Sequence, residues 1–149
     1  MAQGGRTAMT QTVLTGSVLL TLAVPARAQE PPPPFRKGFW EFTRTVEGAS
    51  QPKNTMARKV CTSRNEDMRR GREQSAKTGC QLSEVGRAGS TYRCTATCVL
   101  TNGKITSKQI LTAQDDTAYT VKIDSSGVVG GQTVATKEEL IAKRLGDCP

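Results

Sequence analysis

The stretch Thr91–Thr112 reads TYRCTATCVLTNGKITSKQILT, and its pattern is that of two strands joined by a turn. Alternate side chains of a strand point to opposite faces, and one face here carries Tyr92, Cys94, Ala96, Cys98 and Leu100. Asn102-Gly103 then gives a strong two-residue hairpin signal, because both central residues of such a turn take positive φ. We therefore predict a β-hairpin, with a weaker second strand over Lys104–Thr112.

The same two-residue period occurs on both sides of this hairpin. Phe39–Val46 places Trp40, Phe42 and Val46 on one face, with Arg44 as the misfit, and Tyr119–Asp124 also alternates. Weaker strands are predicted over Thr55–Cys61, Cys80–Val85 and Val128–Thr136, and reversals at Gly86–Gly89, Asp115-Asp116 and Ser125–Gly127. Consecutive strands with short connections form antiparallel meanders, and an apolar sheet face must be covered. The sequence predicts a mainly β fold, a single antiparallel meander sheet of about 6–8 strands that is strongly curved or barrel-like.

One segment has a helical pattern. Ser63-Arg64-Asn65-Glu66 fits a capping box, and Asn65–Gln74 is rich in helix formers apart from Gly71. The segment has no apolar stripe, so we predict one short exposed helix. Lys137–Arg144 is ambiguous, because its composition favours a helix while Leu140 and Ala142 also suit a strand.

The first residues have the three-part pattern of a cleavable secretory signal. Arg6 precedes the apolar run Val13–Val24, and Ala26-Arg27-Ala28 offers a small-x-small cleavage site. We predict a signal peptide over residues 1–28, a proline-rich linker over residues 29–37, and one β-rich domain over residues 38–149. The apolar run is too short for a membrane anchor, so the mature chain is expected to be periplasmic or secreted, with no transmembrane segment.

Five cysteines in an exported domain of this size suggest disulfide bonds. Cys94 and Cys98 lie four residues apart on one strand, about 13 Å, which is too far for a disulfide or for joint zinc ligation. A reversal at Gly86–Gly89 brings Cys80 opposite this region, so Cys80 pairs with either Cys98 or Cys94. Cys61 and Cys148 then remain.

An ordered set of short motifs resembles an exported bacterial family, domain of unknown function 3617. The motifs are Gly38-Phe39-Trp40-Glu41, Val60-Cys61-Thr62, a Cys-hairpin-Cys pair, and the terminal Arg144-Leu145-Gly146-Asp147-Cys148-Pro149. The resemblance covers Gly38–Pro149 and implies a small β-rich envelope protein with four cysteines in two bridges and no assigned activity. Cys94 is the fifth cysteine, which this pattern lacks. We therefore expect the bridges Cys61–Cys148 and Cys80–Cys98, with Cys94 as a buried free thiol.

The chain contains no histidine, which removes Ser-His and Cys-His catalytic pairs and His-ligated metal sites. Neighbouring carboxylates occur at Glu66-Asp67, Asp115-Asp116 and Glu138-Glu139, but they lie in polar segments typical of solvated groups. Gly127–Gly131 is glycine-rich without the lysine of a phosphate loop. We predict no catalytic residues, no metal, no cofactor and no enzymatic activity.

Charge is the one positive functional signal. The chain carries +8, and removing Arg6 and Arg27 with the signal leaves +6. Nine basic residues against four acids lie in one segment: Arg58, Lys59, Arg64, Arg69, Arg70, Arg72, Lys77, Arg87 and Arg93. The leading interpretation is a non-catalytic envelope module that binds an apolar small ligand or an envelope protein on its curved sheet. The alternative is a basic surface that docks on anionic envelope lipids or glycans; an unrecognised hydrolase ranks third, and nucleic acid is not expected as a partner.

Overall fold

The computed structural model describes residues 33–49 and 51–149. The predicted signal peptide and residues 29–32 of the predicted linker lie outside the described residues. The elements follow in the order β1 Gly38–Gly48, β2 Gln51–Thr62, α1 Arg64–Lys77, β3 Cys80–Leu82, β4 Gly86–Ala88, β5 Thr91–Leu100, β6 Gly103–Ala113, β7 Ala118–Val129 and β8 Gln132–Gly146. This described part of the chain is mainly β with one helix, as predicted.

All eight strands form one antiparallel sheet, in the order β2-β1-β8-β7-β6-β5-β3, with β4 also paired to β5. Strands β5 to β8 are successive neighbours, which confirms the meander over this part of the sheet. β1 instead lies between β2 and β8, because α1 carries the chain from one edge of the sheet to the other. Within residues 33–49 and 51–149, β2 and β3 remain the two edges, so the sheet is open and barrel-like closure is not confirmed.

The β5–β6 hairpin exists, but its turn differs from the prediction. Leu100 pairs with Gly103, so the two central residues are Thr101 and Asn102, and neither has a positive φ. Gly103 is the first residue of β6, where an added Cβ would run into the backbone carbonyl of Val128 on β7. The glycine is needed for close strand approach, and the expected positive φ at Asn102-Gly103 is wrong.

The β7–β8 hairpin lies where a single strand was predicted. Val129 pairs with Gln132 across Gly130 and Gly131, whose φ values are 58° and 78°. Two successive positive φ values are what the two-residue turn between twisted antiparallel strands requires. The predicted reversal at Ser125–Gly127 is wrong, because these residues lie within β7.

Helix α1 has 14 residues and is longer than the predicted segment Asn65–Gln74. Ser63 is its N-cap residue but makes no side-chain cap hydrogen bond, so the predicted capping box is wrong. Glu66 and Asp67 in the first turn and Lys77 in the last give a charge distribution that favours a helix. Gly79, with φ of 83°, follows its C-terminus. The ambiguous segment Lys137–Arg144 is part of β8.

The core lies on the sheet face that α1 covers, here called the inner face. Phe35, Trp40, Phe42, Tyr119 and Ala142 form the buried cluster, and Met68 of α1 and Leu111, Val121 and Leu140 of the sheet pack against it. Trp40 and Tyr119 are almost completely buried, with ring centroids 5.9 Å apart. Phe35 contacts both rings and precedes β1 by three residues, so packing extends before Gly38.

Candidate functional site

The cysteines expected to form bridges are paired in the structure. Cys61 at the end of β2 is bonded to Cys148, with 5.6 Å between the Cα atoms. Cys80 of β3 is bonded to Cys98 of β5, with 4.0 Å between the Cα atoms, and the same two residues are ladder partners. One bridge therefore fixes the edge strand β3, and the other ties the C-terminal tail to β2 beside the start of α1.

Cys94 is a free thiol on the inner face of β5. It lies opposite Gln109 of β6, and its Sγ donates to Oε1 of that residue over 3.7 Å. The thiol is half-buried, and burial raises its pKa above the ordinary value, an effect that the charge of Arg72 partly opposes. The thiol thus belongs to a partly apolar surface under the helix.

The neighbouring carboxylates do not form acid–base pairs. Each has its own cationic or hydroxyl partner: Glu66 with Arg70, Asp67 with Arg64 and Thr62, Asp115 with Thr117, Asp116 with Arg36, Glu138 with Arg44, and Glu139 with Lys122. These partners hold the pKa values of Glu66 and Asp115 below their usual range. In the described part of the chain, no three His, Cys, Asp or Glu residues are grouped to hold a metal.

The basic segment between Arg58 and Arg93 is distributed over several elements. Its members lie on the edge strand β2, on α1, and on β4 and β5 toward the other edge. Three of the four arginines of α1 are ion-paired: Arg64 with Asp67, Arg69 with Glu73, and Arg70 with Glu66. These ion pairs balance much of the local charge, which weakens the interpretation as a continuous anion-docking surface.

Arg64 holds the first turn of α1 against the core. Its Nε donates to Tyr119 Oη over 2.6 Å, and its Nη1 donates to Asp67 Oδ2 over 2.9 Å. The guanidinium carbon lies 4.7 Å from the Phe42 ring centroid and 5.5 Å from that of Tyr119, within the range of cation–π attraction. Burial raises the pKa of Tyr119, and Arg64 partly opposes this shift.

Behind this anchor, a cleft of about 300 Å³ lies between α1 and the inner face of the sheet. We call it the helix–sheet cleft. Its apolar lining comprises Met68, Leu82, Val85, Tyr92, Leu111 and Val121. Its polar side chains are Arg64, Arg72, Ser75, Arg93, Cys94 and Gln109, and Gly71 lines it from the middle of the helix. A cleft that combines aromatic and aliphatic side chains with polar groups at defined positions is typical of a small-ligand site.

A larger groove, about 450 Å³, lies at the other end of β6, β7 and β8. Its lining is polar and charged, with Lys108, Asp124 and Lys137 in neighbouring strands and alanine as its most apolar side chain. Among the described residues, the groove has no aromatic or large aliphatic side chain in its lining, whereas the helix–sheet cleft has several, so the cleft is the stronger candidate for a small-ligand site.

The sequence pattern did not identify the helix side of the cleft. Five helix residues line the cleft, and they follow one another at intervals of four, three, one and three positions: Arg64, Met68, Gly71, Arg72 and Ser75. These intervals place them on one helix face. Only Met68 among them is a large apolar residue, so a search for an apolar stripe could not find this face. The available signal was the absence of carboxylates from it, since Glu66, Asp67 and Glu73 fall elsewhere.

The chain is similar to a known protein family. A family model described as "Protein of unknown function (DUF3617)" matches residues 35–148, which includes Phe35 of the core. No curated protein and no solved structure matches the chain.

In the described residues, no helix is long and apolar enough to cross a membrane.

Proposed function

The chain belongs to the DUF3617 family of proteins of unknown function, and we propose its function from its geometry. The protein is a non-enzymatic binding module that is exported from the cytoplasm and holds an apolar ligand. The helix–sheet cleft is the observation that carries this proposal. Its volume of about 300 Å³ is at the lower end of the range for ligand pockets, roughly 300–1,000 Å³.

The composition of the cleft supports ligand binding. Tyr92 and Leu111 are ladder partners on the inner face, and Met68 and Gly71 approach them from α1. An added Cβ at Gly71 meets no atom within 4 Å, so the helix leaves open space there. A larger side chain at this position would occupy that space and reduce the apolar area that the cleft offers to a ligand.

A binding role without catalysis is supported by the chemistry of the chain. It has no histidine, and the thiol of Cys94 carries a raised pKa, which disfavours the nucleophilic thiolate. The described carboxylates next to one another in sequence are each engaged by separate partners.

The binding proposal is tested with N-phenyl-1-naphthylamine, an uncharged apolar fluorophore. At roughly 0.3 kcal/mol per non-hydrogen atom, its 17 heavy atoms correspond to a Kd on the order of 0.1 mM. We expect its fluorescence to rise as the protein is titrated into it. Gly71→Leu, which fills the cleft, should abolish the rise, while Gln74→Leu, on an exposed position of the same helix, should leave it unchanged. No saturable rise in the wild-type protein, or equal binding by both variants, would overturn the assignment of this cleft.

Export is a separate part of the proposal. The signal pattern of residues 1–28 supports it, as do two disulfide bonds, which persist in oxidising compartments. Intact mass of the protein recovered from the periplasm or medium should correspond to a chain that begins at Gln29 with four oxidised cysteines. A mature species that retains Val13–Val24 would contradict it.

A further inference from the structure

Arg72 differs from the other arginines of α1 in having no partner among the described residues. Arg64, Arg69 and Arg70 each contact a carboxylate, whereas Arg72 forms no ion pair or hydrogen bond within residues 33–49 and 51–149. Three arginines of α1 are exposed, and of these three Arg72 alone lines the helix–sheet cleft. The guanidinium of Arg72, at the edge of an apolar cleft, is therefore available to bind an anionic group of a ligand.

The position of Arg72 relative to the sheet is defined by its neighbours. It lies four residues after Met68, on the same helix face, and its charge acts on the thiol of Cys94 across the cleft. The apolar floor below is formed by Tyr92, Leu111 and Val121. The cleft thus has an apolar interior with the unpaired positive charge of Arg72 on its helix side, and Arg93 of β5 also lines it.

The volume limits the apolar part of a ligand. About 300 Å³ corresponds to roughly ten water volumes, which accommodates one short alkyl chain and excludes two. The planar donors of the Arg72 guanidinium suit a carboxylate bound through two parallel hydrogen bonds.

We infer that the helix–sheet cleft binds a single-chain fatty acid, with the alkyl chain on the apolar floor and the carboxylate on Arg72. This inference rests on the proposed binding function and adds the chemical class of the ligand. Each buried methylene should strengthen binding about fourfold, and the contact with Arg72 about tenfold.

The experiment compares octanoate, 1-octanol and octylphosphocholine by isothermal titration calorimetry on the protein with both disulfides intact. Octanoate should bind about tenfold more tightly than 1-octanol. Arg72→Gln should remove this preference while 1-octanol binding is unchanged. Lys77→Gln is the matched control, because it removes the same charge from an exposed helix position that does not line the cleft, and it should retain the preference.

The outcomes separate this inference from the function on which it rests. Equal binding of octanoate and 1-octanol, both blocked by Gly71→Leu, would overturn the fatty-acid inference and leave the cleft as an apolar site. Tighter binding of octylphosphocholine than octanoate would also overturn it, in favour of a phospholipid head group. Binding of none of the three compounds would overturn the proposed function itself. Equal loss in Arg72→Gln and Lys77→Gln would show a general charge effect and contradict a contact at Arg72.

Discussion

Replacing Gly71 by alanine should stabilise the protein, because the structure provides both a helical backbone and free space at this position. Gly71 is the eighth of the 14 residues of α1. A Cβ built there meets no heavy atom within 4 Å, so the methyl group introduces no clash. The expected gain is the difference in helix propensity between glycine and alanine in a helix interior.

That difference is about 0.8–1.0 kcal/mol. With a urea m value of about 1–3 kcal/mol per molar, the unfolding midpoint should rise by about 0.3–1 M at unchanged m. Equilibrium urea denaturation followed by far-UV circular dichroism measures both quantities. The disulfides must remain oxidised throughout, since their reduction would change the denatured state.

Gly89 supplies a matched control. An added Cβ there also meets no atom within 4 Å, but the backbone has a φ of 60°. Alanine in this left-handed region costs about 1–2 kcal/mol, so Gly89→Ala should lower the midpoint although it creates no clash. A neutral or destabilising Gly71→Ala, or a stabilising Gly89→Ala, would refute the assignment of helix at residue 71 or of the turn at residue 89.

Three other predictions concern packing and the cysteines. Phe35→Ala should destabilise the protein by about 3–5 kcal/mol, as for other buried aromatic residues; a loss below 1 kcal/mol in urea denaturation would place the domain boundary at Gly38, as the sequence suggests. Cys61→Ala should lower the free energy of unfolding by about 2–5 kcal/mol through loss of the bridge to Cys148, while Cys94→Ala should lower it by about 1 kcal/mol. A disulfide-linked peptide containing Cys94 in non-reducing peptide mapping would contradict the assignment of Cys94 as the free thiol. Alkylation of Cys94 should need a higher pH in the folded than in the unfolded protein, because burial raises the pKa of its thiol. Arg72→Gln should move the pH midpoint of alkylation further up, since it removes the charge that opposes this shift. A pH midpoint in the folded protein at or below that in the unfolded protein would refute the prediction.

Much of the sheet was predictable because its strands alternate clearly. Trp40 and Phe42 on β1 and Tyr92 and Ala96 on β5 are all buried, as the two-residue period indicates. Turn positions were less predictable, because glycine can serve either a positive φ or a close strand approach. Gly103 serves the second purpose and Gly130 the first, and the local sequence does not distinguish them.

The strand order and the cleft depend on contacts that a local pattern cannot specify. β1 pairs with β8, whose residues lie about a hundred positions later in the chain, and no periodicity encodes such a partner. The helix side of the cleft consists of one methionine with arginine, glycine and serine, so it resembles a solvated face. Its role becomes visible only when the apolar floor of β5, β6 and β7 is placed beneath it.

The position of β1 between β2 and β8 also has a kinetic consequence. As the chain emerges N-terminus first, β1 can pair at once with β2, but its other edge must wait until residues 136–146 of β8 have emerged. During this interval Trp40 and Phe42 lack the Ala142 side of their core, and exposed apolar strands of this kind are prone to aggregate. Contacts this distant in sequence slow the final closure of a two-state domain. We therefore expect folding to be limited by docking of the first hairpin onto the completed meander, which makes the nascent hairpin the segment most in need of a chaperone.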